Sequence, residues 1–308
     1  YACSRNGGLW KTINYGAHWE PITSYFATPH TSCIEVCTAN PQILYLGAAE
    51  DKMIWYSSDE GVNWVNRSTG LDGEIYDIHS DPTNATRVVA STTTGIYLST
   101  NSGATWTQKV AGQFTDLRVS STLDLMIITK NVPETSPTKL HFSIDKGETW
   151  LQHDLPINNG AADRFHVVMH QPTTGPIKVF AYGLKSGHTP GRFMGLWKSD
   201  YNPAGPPYFT FTEVKESTYN YPNGPVVLKW QEAAPGYFPQ VGDGYGDVSP
   251  FTDNTWASDF WVSNNNPDRM ITLTEKFWGS DNGGKIWDFK PSYGGSTWAD
   301  MRFFTQNV

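Results

Sequence analysis

The 308-residue sequence is poor in charge, in cysteine and in long apolar runs, and each shortage removes a class of function. Asp, Glu, Lys and Arg make up 17% of the chain, with a formal net charge of −8. No segment concentrates Lys or Arg, so the electrostatic footprint of a nucleic-acid or anionic-membrane binder is missing. No apolar run approaches the roughly 20 residues that a membrane-spanning helix needs. The opening stretch Tyr1-Ala2-Cys3-Ser4 has neither the basic nor the apolar segment of a signal peptide, and the expectation is a processed chain or a piece of a longer one. No Gly-x-Ser-x-Gly elbow, phosphate loop, Cys-x-x-Cys or His-Glu-x-x-His occurs. His166 and His170 share a strand face but have no third ligand nearby in sequence. Of the 3 cysteines, Cys33 and Cys37 lie four apart in an expected strand, about 13 Å if extended, which is too far to bridge. Cys3 can pair with either and leave an odd thiol, or all three are buried thiols.

Aromatic residues, by contrast, reach 14%, and the 28 Gly and 20 Pro fit a chain of many short strands and tight turns. One motif orders them. It is sharpest at Ser143-Ile144-Asp145-Lys146-Gly147-Glu148-Thr149-Trp150. It recurs at 57–64 (with Asp59 and Trp64) and at 99–106 (with Asn101 and Trp106). Looser copies lie at 12–19 (Asn14, Trp19) and 280–287 (Asn282, Trp287), and a degenerate one starts at Ser199-Asp200 and decays over 199–206. In Ser/Thr-x-Asp/Asn-x-Gly-x-x-Trp the Asp or Asn folds back onto nearby backbone N–H groups and fixes a turn. The Gly takes a backbone conformation that other residues resist, and the Trp opens the next strand with a large apolar surface.

The motif starts at Thr12, Ser57, Ser99, Ser143, Ser199 and Ser280, a spacing in the forties over the first three intervals. That is the period of a four-stranded propeller blade. Each unit also carries an apolar strand, a turn such as Asn40-Pro41, Asp81-Pro82 or Asn266-Pro267, a second strand and a third that runs into the motif. The motif is then the corner between third and fourth strands. The pattern resembles the Asp-box (BNR) repeat of β-propellers, which is found in sialidases, sortilin-type receptors, xyloglucanase-like glycoside hydrolases and secreted bacterial proteins.

The resemblance implies an all-β fold, a β-propeller of four-stranded blades over residues 1–308. Seven blades are favoured, with 215–256 as a blade without a box. Six blades with a long insertion there is the alternative. Residues 1–22 supply three strands of a blade, and 298–304 read as its missing strand, closing the ring and removing two sheet edges.

Two sets of residues are candidates for chemistry. Asp77, Asp116, Asp259 and Asp300 occupy equivalent places on the first strand of their units. There they either bind backbone N–H groups of a neighbouring loop or form a cation site or a pair of catalytic acids, since crowded carboxylates raise one another's pKa. The second set is Gly242-Asp243-Gly244-Tyr245-Gly246-Asp247 with Asp253, a carboxylate-rich loop suited to Ca2+. Trp230, Tyr245, Trp256 and Trp261 beside Asp243 and Asp247 suggest a sugar groove, or else aromatic packing between blades. Asn66-Arg67-Ser68 and Asn84-Ala85-Thr86 are glycosylation acceptors only in a host that uses them.

Sialidases carry an arginine triad and an Arg-Ile-Pro motif; 8 scattered Arg and no such motif argue against that activity. The expected function is an extracellular or cell-surface module that binds glycan or protein, within a larger secreted or surface protein. The alternative is a glycoside hydrolase resembling xyloglucanases, although that group builds its cleft from two propellers. A sortilin-like peptide receptor lacks here the disulfide-rich module that follows such propellers.

Overall fold

The computed structural model describes residues 1–4, 7–24, 26, 30–48, 50–130, 139–156, 164–185, 192–214, 218–221, 224–227, 259–263, 265–273, 277–280, 283 and 288–289. Among them there are strands and turns and no helix. The chain divides into two compact units, Tyr1–Gln171 and Pro172–Val308.

Strands follow one another into sheets in chain order. The first sheet has three, β1 (Ala2–Ser4), β2 (Gly8–Lys11) and β3 (Glu20–Pro21). The second has β4 (Thr31–Val36), β5 (Leu44–Ala48), β6 (Met53–Ser57) and β7 (Val65–Asn66). The third has β8 (Ile75–Asp81), β9 (Asn84–Thr92), β10 (Gly95–Ser99) and β11 (Thr107–Ala111). The fourth has β12 (Phe114–Val119), β13 (Met126–Lys130), β14 (Lys139–Ser143) and β15 (Leu151–Asp154). The fifth runs β16 (Arg164–His170), β17 (Lys178–Lys185), β18 (Arg192–Asp200) and β19 (Thr212–Glu213). A hairpin, β20 (Thr218–Tyr221) with β21 (Gly224–Val227), comes next. The last sheet holds β22 (Asp259–Val262), β23 (Met270–Leu273), β24 (Phe277–Ser280) and β25 (Asp288–Phe289).

The middle strands of the third sheet are apolar on both faces because that sheet is covered twice. In β9, Val88 and Ala90 enter a core with Tyr45 and Ile54 of the second sheet, while Val89 between them enters a core with Phe114, Leu117 and Met126 of the fourth. Alternation along the strand sends neighbours to opposite faces, so a strand buried on both sides reads as a continuous hydrophobic run. Within the first unit, β4 lies against β8, β8 against β12 and β12 against β16. First strands therefore gather together, while the fourth strands β3, β7, β11 and β15 are mostly exposed.

Residues 298–304, the expected closing strand, and most of 215–256, the expected box-less blade, lie outside the described residues. Cys3, Cys33 and Cys37 are all free thiols.

Candidate functional site

The repeated turn has one geometry at four places. Ser57 Oγ donates to Asp59 Oδ1 at 2.8 Å and accepts from the Gly61 N–H at 2.9 Å, and Asp59 Oδ1 accepts from the Asn63 N–H at 2.8 Å. The same three bonds recur at Thr12/Asn14, Ser99/Asn101 and Ser143/Asp145. The second oxygen of Asp59 takes the Asn63 amide, and that of Asp145 takes the Thr149 hydroxyl. These bonds to Asn63 and Ser57 hold the Asp59 carboxyl below its usual range. At Asp145 burial opposes the drop, but the Thr149 and Ser143 bonds prevail. Both oxygens of these two carboxylates face their own turn, which is a corner anchor.

The turns also grip the sheet before them. The Arg67 guanidinium donates to the Ser102 carbonyl at 2.6 Å, and Arg87 donates to the Lys146 carbonyl and to Glu148. Trp106 Nε1 donates to Arg67 O at 2.9 Å, whereas Trp64 Nε1 turns back to its own Gly61 O. The degenerate copy has no such net. There Ser199 Oγ donates to Asp200 O and accepts from the Thr210 N–H.

The first strands share a second repeated feature. In β4, β8 and β12 the register shifts at the same place, leaving Ser32, Tyr76 and Thr115 as extra residues. Ile75 and Ile78, three apart, thereby enter one core, and Phe114 and Leu117 do likewise in the next. Strict alternation would forbid this; a bulge permits it and re-aims the residue that follows. The residues that follow are Cys33, Asp77 and Asp116, paired across the ladder with Gly47, Ser91 and Thr129. Two residues on stand Glu35, His79 and Arg118.

Around β8 these groups join. Asp77 accepts from the Ile78 N–H at 3.0 Å and lies 3.2 Å from His79 Nε2. Both side chains are about a quarter exposed, at 28% and 26%, so solvent reaches the pair. From β4, Glu35 accepts from both the N–H and the hydroxyl of Ser80. From β12, Arg118 Nε donates to Val167 O of β16 at 3.2 Å. The polar side chains thus stitch neighbouring first strands together. Burial pushes the Glu35 carboxyl up, and its bonds to Ser80 offset this only in part. For His79 burial pulls downward, but the Asp77 and Glu35 charges prevail and raise it above 6.5. Burial, with Asp77 nearby, pushes the Cys33 thiol well up and keeps it a neutral, unreactive group.

The end of these sheets opposite the turns forms an acidic rim. His30 pairs with Glu50 at 3.2 Å and Lys52 with Asp72 at 3.6 Å. Thr93 N–H donates to Glu74 O and Thr94 Oγ1 to Asp72 O, which ties the hairpin after β9 to the loop before β8.

Of the residues singled out from sequence, Asp77, Asp116 and Asp259 sit on β8, β12 and β22, each the first strand of its sheet. Trp261 is on β22, opposite Ile271. Asp300, Trp230, Asp243, Tyr245, Asp247, Asp253, Trp256, Asn282 and Trp287 lie outside the described residues. Among the described residues no three His, Cys, Asp or Glu side chains converge as metal ligands. Glu35, His79 and Arg118 were not singled out in sequence; their spacing of two from Cys33, Asp77 and Asp116 was the available signal.

No family model and no curated protein matches this chain. Solved structures match its fold. A GH74 enzyme from Niastella koreensis is 18% identical with a TM-score of 0.56, over 94% of this chain and 43% of that one. YCF48 bound to D1 peptide is 13% identical with a TM-score of 0.55, over 93% and 76%. The GH74 xyloglucanase from Xanthomonas campestris is 12% identical with a TM-score of 0.58, over 93% and 42%. The fold is a β-propeller. This propeller chain spans less than half the length of either GH74 structure.

Proposed function

We propose that the chain is an Asp-box β-propeller that serves as an extracellular or cell-surface binding module within a larger protein. Its ligand, a glycan or a protein, is taken at the bulged first strands. The observation that carries this reading is the solvent-reached Asp77–His79 pair beside Glu35, on a first strand that carries a bulge just before Asp77. The Asp-box assignment is supported by the four superimposable side-chain-locked turns. A protein ligand is supported by the peptide-bound state of YCF48, which shares the fold.

The second reading is a glycoside hydrolase, favoured by the GH74 likeness. It requires two carboxylates among Asp77, Asp116, Asp259 and Asp300 standing about 6.5–9.5 Å apart across an open groove for inversion. Ca2+ at Asp243, Asp247 and Asp253 belongs to either reading.

A glycan-array screen with and without chelator, run beside reducing-end assays, separates the two. Binding without turnover supports the module, and its loss with chelator places a cation in the function. Turnover abolished by Asp→Asn changes at two of the named aspartates replaces the module with the enzyme.

A further inference from the structure

The first-strand row, read as a binding site, has a charge pattern that selects a ligand class. Glu50, Asp51, Asp72 and Glu74 stand on the rim with Lys52 and His30, and Glu35 and Asp77 lie deeper. A second, independent feature lies in the ladder. Ser91 Oγ and Thr129 Oγ1 are buried and have no hydrogen-bond partner. Each stands opposite a bulged-strand aspartate, Ser91 across from Asp77 and Thr129 across from Asp116. Residues opposite one another in an antiparallel pair leave the sheet on the same face. The Ser91 side chain therefore leaves the sheet on the face that carries Asp77 and His79, and its hydroxyl has no partner there.

We propose that this row recognises the guanidinium or ammonium group of a basic peptide segment, and that the proton on His79 competes with that group for Asp77. The charged groups facing His79 are Asp77 from its own strand, Glu35 from β4 and Arg118 from β12. Arg118 is tied to Val167 O and opposes the proton, whereas the two carboxylates favour it. At low pH imidazolium and Asp77 form an internal pair, and Asp77 is not available to a ligand. As pH rises through the raised His79 titration the pair opens, Asp77 is released and the cation binds. Linkage is reciprocal: the bound cation lowers the affinity of His79 for its proton by the same factor.

The test uses the full chain and a fluorescein-labelled Gly-Arg-Gly-Arg-Gly peptide, with Gly-Gln-Gly-Gln-Gly as the neutral control, in anisotropy titrations from about pH 5.5 to 8.5. The arginine peptide is expected to bind about tenfold more tightly at the alkaline end, and the glutamine peptide not at all. His79→Gln is expected to bind tightly at every pH, and Asp77→Asn to weaken binding at least about tenfold. Equal binding of both peptides, no binding of the arginine peptide, or an unchanged pH profile in His79→Gln would each overturn the proposal. Thermal melting reports whether Asp77→Asn folds; if it does not, the His79→Gln profile decides. A glycan-array hit without arginine-peptide binding leaves the binding module standing and removes this ligand class.

Discussion

At Glu60, Ser102 and Lys146 the backbone turns left-handed, with φ of 58°, 57° and 59°, and the next residue continues at 90°, 79° and 84°. Glycine fills that next position each time because a Cβ there is strained. The three glycines differ in what surrounds them. A Cβ on Gly103 would meet Trp106 and Tyr45 at 3.4 Å, an ordinary contact, whereas one on Gly61 would meet Ile22 at 2.8 Å. Gly103→Ala is expected to cost about 1–2 kcal/mol from backbone strain alone. Gly61→Ala, with overpacking added, is expected to cost about 2–4 kcal/mol. Chemical denaturation of the two variants checks the order; equal costs would mean that Ile22 moves aside freely. Ser99→Ala removes both the acceptor for the Gly103 N–H and the donor to Asn101, and about 1–2 kcal/mol is expected to go with them.

Among elements, the bulged first strand decides what faces where. The bulge in β4 lets Cys33 lie across Gly47, where an added Cβ would come within 2.7 Å of Cys33 Sγ and 2.9 Å of Ile75. Gly47→Ala is therefore expected to lower stability by about 1–3 kcal/mol through overpacking between the second and third sheets. Partial rescue by Cys33→Ala, measured as a double-mutant cycle, would locate the clash. The third and fourth sheets are pinned by a different device. Lys146 in the fourth sheet's turn reaches Asp81 at 3.0 Å, and Asp81, only 2% exposed, also accepts from the N–H and hydroxyl of Thr83. Asp81→Ala strips partners from three donors and is expected to cost about 2–3 kcal/mol. Lys178→Ala, at an exposed pair with Asp200, is expected to cost less than about 1 kcal/mol. Similar losses from both would show that the buried carboxylate is no better placed than the exposed one.

For the whole molecule these groups set a pH window. Asp81 and Glu148 titrate below their ordinary 3.8 and 4.5: burial opposes the shift at Asp81 but Thr83 and Lys146 prevail, and Lys109 leads at Glu148. Their stabilisation is present above those ordinary values and is lost as pH falls through the depressed folded ones. His79, raised above 6.5, stabilises fully below 6.5 and loses that contribution as pH rises through its folded value. Glu35, raised above 4.5, releases its proton more readily unfolded, so it too erodes stability as pH climbs past 4.5. The melting temperature is expected to peak in mildly acidic solution and to decline above about pH 6.5. His79→Gln should flatten the decline, and an unaltered alkaline limb would show that another group drives it.

The repeat was legible in the sequence because its turn depends on particular side chains. Ser57, Asp59 and Gly61 bond within five residues, so their spacing alone specifies the corner and, with the apolar strands between corners, the propeller class. The first-strand aspartates were legible as a row for the same reason of repetition. Tertiary structure decided what Asp77 meets. A bulge adds one residue and reverses the facing of all that follow, and nothing in the local sequence of Ile75-Tyr76-Asp77 announces it. Only the assembled sheets bring Glu35 to Ser80, Arg118 to Val167 and His79 under the charges of both carboxylates. Those contacts join residues 45 and 49 positions apart, and such distances are set by how sheets stack rather than by the order of residues along any one strand.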